Sequence, residues 1–231
     1  MTPAPRQLIL DLPHRSAFGK EDFFVSQSNS AAVQLVDQWP EWTHWAAIVA
    51  GPAGAGKSHL ASVWRRRSNA MMIAASDVSE DTIGGLDAQH ALCVEDLDRG
   101  IGDQKVLFHL LNMAREHKFS ILLTARAAPG EINITLPDLR SRLRALPLVE
   151  IAAPDEGLLK AVLVKLFADR QLAVEPQLID YIAERMERSM DGARQLVAEI
   201  DRLALAMRRR VTRTLAADAL TRLADARDSK H

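Results

Sequence analysis

Eight consecutive residues constrain this fold more than any other feature of the chain: Gly51-Pro52-Ala53-Gly54-Ala55-Gly56-Lys57-Ser58, a complete G-x-x-x-x-G-K-S run. Such a run works where a buried strand delivers the chain into a tight loop and a helix leaves it. Its glycines let backbone N–H groups turn inward around phosphate oxygens, the lysine reaches the β- and γ-phosphates, and the hydroxyl meets a metal ion. The flanks supply the required order. Trp45-Ala46-Ala47-Ile48-Val49-Ala50 is a short apolar run suited to a buried parallel strand. Lys57 to Arg67 has helical character, with Leu60, Val63 and Trp64 on one face. The positive dipole end of that helix adds to the anion site. These residues point to a nucleoside polyphosphate with Mg²⁺ rather than to an ordinary Gly-rich turn.

The rest of the chain can house such a loop. Strand-like runs recur at about 45–50, 70–75, 91–95, 119–124 and 147–151, with helical segments between them, notably 103–117, and one before them at 29–38. Alternation at this spacing predicts an α/β fold: a central parallel five-stranded sheet flanked by helices. The pattern changes after Pro154. Asp155 can cap a helix carrying Leu158, Leu159, Val162, Leu163, Leu166 and Phe167. Further helices are expected over about 176–188 and 191–210, and a last one capped by Thr214 and running to about Ala226. With no strand signal there, residues 154–231 read as a small all-helical domain, 18–153 as the α/β domain, and 1–17, with three prolines, as an extended tail.

Charge and cysteine usage narrow the setting. The net charge of −1 over 231 residues does not announce a nucleic-acid binder. Arg65-Arg66-Arg67 and Arg208-Arg209-Arg210 fall where helices should end, so the helix dipole and solvation account for them as well as DNA does. Cys93, the sole cysteine, lies in an apolar run and reads as a small buried hydrophobe. The absence of an internal disulfide, of a long apolar leader and of a membrane-length apolar run predicts a cytoplasmic protein. His109 and His117, eight apart, do not make a shared ligand pair.

A phosphate loop needs an acidic partner at the end of a neighbouring strand to hold Mg²⁺ and the attacking water. Ala91-Leu92-Cys93-Val94-Glu95-Asp96 supplies it, with Glu95 orienting Mg²⁺ through water and Asp96 polarising the nucleophile. The next strand, Ile121-Leu122-Leu123-Thr124, ends in a hydroxyl that can touch the γ-phosphate. Pro137-Asp138-Leu139-Arg140-Ser141-Arg142-Leu143 follows, and Gly192-Ala193-Arg194 opens a later helix. This ordered set resembles the AAA+ family. The resemblance implies Walker A at Gly51–Ser58, Walker B at Leu92–Asp96, sensor 1 at Thr124, an arginine finger at Arg142, a sensor 2 arginine at Arg194, and a helical lid after the sheet domain.

Within that family, Lys57-Ser58-His59-Leu60, Leu139-Arg140-Ser141-Arg142-Leu143 and Arg194-Gln195-Leu196 look like the corresponding stretches of the bacterial replication initiator DnaA. DnaA continues into a basic DNA-binding domain, whereas this chain is expected to stop near the end of the lid. At its start it carries Gln7-Leu8-Ile9-Leu10-Asp11-Leu12, which in an extended chain puts Leu8, Leu10 and Leu12 on one side. The pattern resembles the peptide with which replication proteins bind the β subunit of the DNA polymerase III sliding clamp; a short edge strand is the plainer reading. The combination, with the similar segment Gly130–Leu139, resembles the DnaA-related Hda family. That resemblance implies regulatory inactivation of DnaA: the protein, on clamp-loaded DNA, promotes hydrolysis of DnaA's ATP by donating Arg142 in trans. DNA is then reached indirectly, through the clamp, at the nucleoid or replisome, and a homodimer is expected.

The sequence departs from DnaA after sensor 1, where Thr124-Ala125-Arg126-Ala127 carries an arginine in place of an acid, and where Glu95-Asp96 replaces a pair of aspartates. These changes predict slow self-hydrolysis and a site that holds ADP or ATP as a control element. Phe24 and Val25, with Phe23, are candidates for the adenine pocket, though aromatics near a domain start often belong to the core. The rival readings are a DnaA-paralogue helicase loader or single-stranded-DNA-binding ATPase, an autonomous motor, and a plain adaptor.

Overall fold

The computed structural model describes residues 14–15, 23–86 and 91–228. They fall into two compact units, one holding residues 27–153 and the other holding 14–15, 23–26 and the chain from Pro154 onward. In the second unit β1 (His14–Arg15) pairs antiparallel with β2 (Phe23–Phe24).

The first unit runs α1 (Ser30–Asp37), β3 (Ala46–Ala50), α2 (Lys57–Ser68), β4 (Met71–Ala74), α3 (Glu80–Gly84), β5 (Ala91–Glu95), α4 (Gln104–His117), β6 (Ser120–Ala125), α5 (Pro137–Arg144) and β7 (Leu148–Glu150). Its five strands form one sheet in the order β4-β5-β6-β3-β7, every neighbouring pair parallel. The fold class expected from the sequence is what the structure has. Every residue of β3 is buried, as are Ala91–Val94 of β5 and Ile121–Ala125 of β6. Central parallel strands covered on both faces read as unbroken apolar runs, which is why the sequence located them. The edge strands β4 and β7 are only partly buried.

Strand order places the site. β3, first of the sheet strands in sequence, lies between β6 and β7, so the chain leaves its carboxyl end beside that of β6, with β5 next in the sheet. Register brings Val49 level with Thr124 and Val94 level with Leu123. A ligand crevice is expected at the carboxyl ends of strands at such a reversal of order. Behind the sheet, Leu107, Leu110, Leu111 and Ala114 of α4 pack with Leu139 and Leu143 of α5 in the main core. On the other side Trp64 of α2 is fully buried and stacks on Trp42 at 5.4 Å, with Trp39 edge-on at 6.2 Å.

The second unit contains α6 (Glu156–Asp169), α7 (Pro176–Arg185), α8 (Met190–Met207) and α9 (Arg213–Asp228). Asp155 Oδ1 accepts from the Leu158 N–H at 2.8 Å, the cap its sequence position predicted. Ser189 Oγ does the same for Gly192 at 2.9 Å at the start of α8. Leu163, Phe167, Ile182, Leu196, Ile200 and Ala216 share this unit's own core. The last helix differs from expectation. It begins at Arg213, and the Thr212 hydroxyl accepts from Leu215 N–H at 3.3 Å, so Thr212 caps it and Thr214 lies inside the first turn. Among the described residues no helix is long and apolar enough to cross a membrane.

Candidate nucleotide site and arginine face

The loop between β3 and α2 is built from backbone. Gly51 N–H donates to Ala125 O at 3.1 Å, tying the loop's first residue to β6. A methyl group on Gly51 would collide with the Ile151 carbonyl oxygen, so no larger residue fits where the chain leaves β3. Gly56, at φ +106°, turns the chain into α2 in a conformation that side chains disfavour. No side chain caps α2 and no acid lies in its first turn, so its N-terminal N–H groups and dipole meet no competing charge there. Within the loop Pro52 and Ala53 are exposed and Ala55 is buried. Lys57, only 7% exposed, donates from Nζ to Gly51 O at 2.7 Å and to Pro52 O at 2.9 Å. Its ammonium is thus held over the loop by the loop's own carbonyls. Ser58 is exposed on the first turn of α2, and His59 beside it is half-buried.

The carboxyl ends of β5 and β6 lie side by side. Thr124, 1% exposed, accepts through Oγ1 from the Asp96 N–H at 3.1 Å. A hydroxyl that accepts still has its proton to donate, so Thr124 retains a hydrogen-bond donor for a phosphate oxygen or a water. Asp96 adopts a left-handed backbone conformation, φ +60°, and its carboxylate pairs with Arg99 Nε at 3.2 Å. Glu95 is placed differently: its Oε1 is buried without a hydrogen-bond partner. An unpaired buried carboxylate oxygen is costly unless a cation or bound water completes it. That fits a Mg²⁺ carried by Ser58 Oγ and, through water, by Glu95; when bound, the ion supplies charge neutralisation to the phosphates. No cluster of three or more His, Cys, Asp or Glu side chains among the described residues offers a protein-only metal site. Cys93, two residues before Glu95 in β5, is fully buried; burial, with the nearby Glu95 charge, pushes its thiol well above the usual range and leaves it inert.

Arg126, the sequence's departure after sensor 1, has a specific partner. Asp98 Oδ1 accepts from its backbone N–H at 2.6 Å, and Asp98 Oδ2 lies 3.5 Å from its Nε. The turn after β5 is thereby fastened to the residue after β6. The sequence marked Arg126 as unusual, but not Asp98, 28 positions earlier in the chain.

Arg142 sits on α5, half-buried, and is in no ion pair with a described residue. Its Nη2 donates to Asn112 Oδ1 of α4 at 2.8 Å, and its guanidinium carbon lies 5.8 Å from the centroid of the Phe108 ring. Arg140, two residues earlier, is spent on the Ile134 carbonyl. Gln104 Oε1 accepts from the backbone of Thr135 at 3.1 Å and of Leu136 at 2.8 Å, clasping the start of α5 to the start of α4. Neither Asn112 nor Gln104 stood out in the sequence, because ordinary helix amides carry no signature until their partners are known.

The remaining candidates lie in the second unit or outside the described residues. Arg194 is exposed on α8 and pairs with Asp191 at 3.2 Å. Phe24 and Val25 are half-buried, Phe24 within β2. Gln7, Leu8, Leu10 and Leu12 lie outside the described residues.

No protein-family model matches the chain. Over 201 residues it is 24% identical to the chromosomal replication initiator protein DnaA of Cutibacterium acnes, covering 75% of this chain and 40% of that protein. DnaA of Lacticaseibacillus paracasei is 23% identical over 88% of this chain and 51% of its own length. The chain therefore spans about half or less of these relatives. Domain III of the Thermotoga maritima replication initiation protein DnaA superposes with a TM-score of 0.73 at 19% identity, covering 86% of this chain and 93% of that domain. AMPPCP-bound DnaA from Aquifex aeolicus gives 0.67 at 19% identity over 79% of this chain and 64% of its own. The fold is the AAA+ fold, and the sequence similarity, at low identity, supports a DnaA-related AAA+ protein.

Proposed function

We propose that this protein is a nucleotide-controlled regulator of replication initiation that accelerates ATP hydrolysis on DnaA by lending it Arg142. The observation that carries the proposal is the state of that arginine. It is held on a neutral amide and an aromatic face, and among the described residues it has no carboxylate partner. A cation kept unneutralised on a half-buried helix face suits a phosphoryl group arriving from another subunit. DnaA similarity over most of the chain makes DnaA a fitting recipient, since AAA+ subunits meet across their nucleotides. In this reading ATP or ADP with Mg²⁺, bound at Gly51–Ser58, sets the shape of the interface rather than driving turnover; the nucleotide seen in the Aquifex DnaA structure agrees with such a ligand. Asp96, already paired with Arg99, contributes little as a base in this chain's own site. Gln7, Leu8, Leu10 and Leu12 would bind the sliding clamp and raise the local concentration near DNA, in the cytoplasm at the replisome.

The test is hydrolysis of DnaA-bound ATP in the presence of clamp-loaded DNA. Wild-type protein should accelerate it, Arg142→Ala should abolish the acceleration, and Gln7→Ala should weaken it only when the clamp is present. Full acceleration by Arg142→Ala would sink the reading in favour of a plain adaptor. Tight binding to single-stranded DNA without clamp, and no effect on DnaA, would favour the helicase-loader reading.

A further inference from the structure

We propose that the cleft between the α6–α7 turn and the α8–α9 turn of the helical unit docks an acidic peptide segment that carries aliphatic side chains. The cleft has a volume of about 790 Å³, a size that takes a ligand. Its apolar lining is aliphatic: Leu178 is buried, and Leu172, Val174 and Val211 are half-buried. Arg209, Arg210 and Arg213 line it too, and all three are exposed. Against them the lining holds one acid, the exposed Glu175, so the cleft carries a net positive charge.

The stability of the unit does not account for these arginines. Other cations in it find acids: Lys160 with Glu156 and Asp180, Arg170 with Asp201, Arg202 with Glu199. Arg209 and Arg210 are in no ion pair with a described residue. The guanidinium carbon of Arg213 lies 4.4 Å from the centroid of the Tyr181 ring, a contact that attracts the cation without cancelling its charge. The dipole of α8 favours a cation at its carboxyl end, where Arg208 caps it. Arg213, however, opens α9, whose first turn holds no acid. The positive end of that helix disfavours Arg213 and the arginines that lead up to it. Cations thus stand where local helix energetics oppose them, beside an aliphatic lining, and a carboxylate brought in from outside would relieve both costs.

The lining selects among anionic partners. A nucleic acid would use the same charges, but its bases stack on open aromatic faces. Among the described residues no aromatic side chain lines this cleft. The neighbouring Tyr181 ring is engaged by Arg185 at 4.2 Å as well as by Arg213. Leucine or valine side chains of a peptide match the lining instead, and carboxylates match the paired N–H donors of a guanidinium.

The probe is a short fluorescein-labelled peptide alternating aspartate and leucine, titrated with the full chain and read by fluorescence anisotropy. It should bind saturably and weaken with added salt, because the arginines are exposed. Arg209→Glu with Arg210→Glu should weaken binding about tenfold or more, since like charges would then face each other. Lys105→Glu with Arg115→Glu, the same change of charge on exposed positions of α4, should leave binding unchanged. A peptide with serine in place of leucine should bind about tenfold more weakly, having lost its apolar burial. Thermal unfolding and ADP affinity, both expected to match wild type, show that each variant is folded. Equal losses in the two variant pairs would overturn the proposal as general charge attraction. Tighter binding of oligothymidylate than of the peptide, with the same dependence on Arg209 and Arg210, would overturn it in favour of nucleic acid. Capture by vesicles of anionic phospholipid without peptide binding would overturn it in favour of a membrane surface, and no saturable binding would end it. DnaA hydrolysis is not read in this titration, so the peptide cleft and the donated arginine stand or fall separately.

Discussion

Lys57 and Arg142 are both half or more sequestered cations in one α/β unit, yet the chain holds them by opposite means. Lys57 is buried against two carbonyls of the loop that presents it, Gly51 and Pro52. Arg142 is half-buried against side chains of another helix, Asn112 and Phe108. A cation held by its own loop needs only local sequence to be placed, and it serves a ligand that enters the same loop. A cation held by side chains some 30 positions away depends on how α4 and α5 pack, and it stays half-exposed. The first arrangement suits a site that binds for itself; under the proposed function the second suits one that acts elsewhere.

The sharpest way to break this contrast is to remove each cation and measure both activities. Arg142→Ala should cost ~10³–10⁵ in stimulated DnaA hydrolysis, the range for donated arginines, while affinity of this chain for ADP stays unchanged by fluorescence titration. Lys57→Ala should do the reverse at smaller scale. Its own nucleotide affinity should fall about 10- to 100-fold, as expected when a charged hydrogen-bonding group leaves a phosphate. Stimulation of DnaA should fall only as far as the empty loop loosens the interface. If Lys57→Ala abolishes stimulation even at saturating nucleotide, the two sites are one machine and the contrast fails.

Gly51→Ala sharpens the comparison from the backbone side. A methyl group at position 51 would strike the Ile151 carbonyl, so β3 and the segment after β7 must separate. Overpacking of this kind costs about 1–3 kcal/mol. Denaturant unfolding followed by tryptophan fluorescence should report it, since Trp42 and Trp64 stack beside α2 in the same unit. Nucleotide affinity should fall with stability here, whereas at Lys57 it should fall by more than the lost hydrogen bonds to Gly51 and Pro52 cost in stability.

What the sequence made legible divides along the same line. The loop, the buried strands β3, β5 and β6, and the Asp155 cap were readable because each is set by residues within a few positions of each other. Burial on both faces left the central strands uniformly apolar, and a phosphate loop has fixed spacing. The contacts that qualify the site join residues about 30 apart: Asp96 with Thr124, Asp98 with Arg126, Asn112 with Arg142. They exist because parallel strands and the helices between them return the chain to the same edge, and no local pattern announces which polar side chain will meet which. Arg126 illustrates the limit. Its type was visibly unusual, but its ion pair with Asp98 became clear only once β5 and β6 lay side by side. The short helices α3 and α5 escaped notice for a related reason: at five and eight residues they are stabilised by packing rather than by their own periodicity.

The smallest effect tests the same division in the helical unit, where two threonines compete for one role. Local pattern favours Thr214 as the cap of the last helix, whereas the structure has the Thr212 hydroxyl accepting from Leu215 N–H. A cap acts by satisfying an N–H that the helix itself leaves unpaired, so only the residue just before the first turn can do it. Thr212→Ala should therefore cost about 0.5–1 kcal/mol in unfolding of this unit, read by circular dichroism in urea. Thr214→Ala, inside the helix, should be neutral or slightly stabilising because alanine is the better helix former. The reverse order would mean that α9 starts later than Arg213. Both variants should leave nucleotide affinity and DnaA stimulation untouched, since neither Lys57 nor Arg142 draws its placement from this helix.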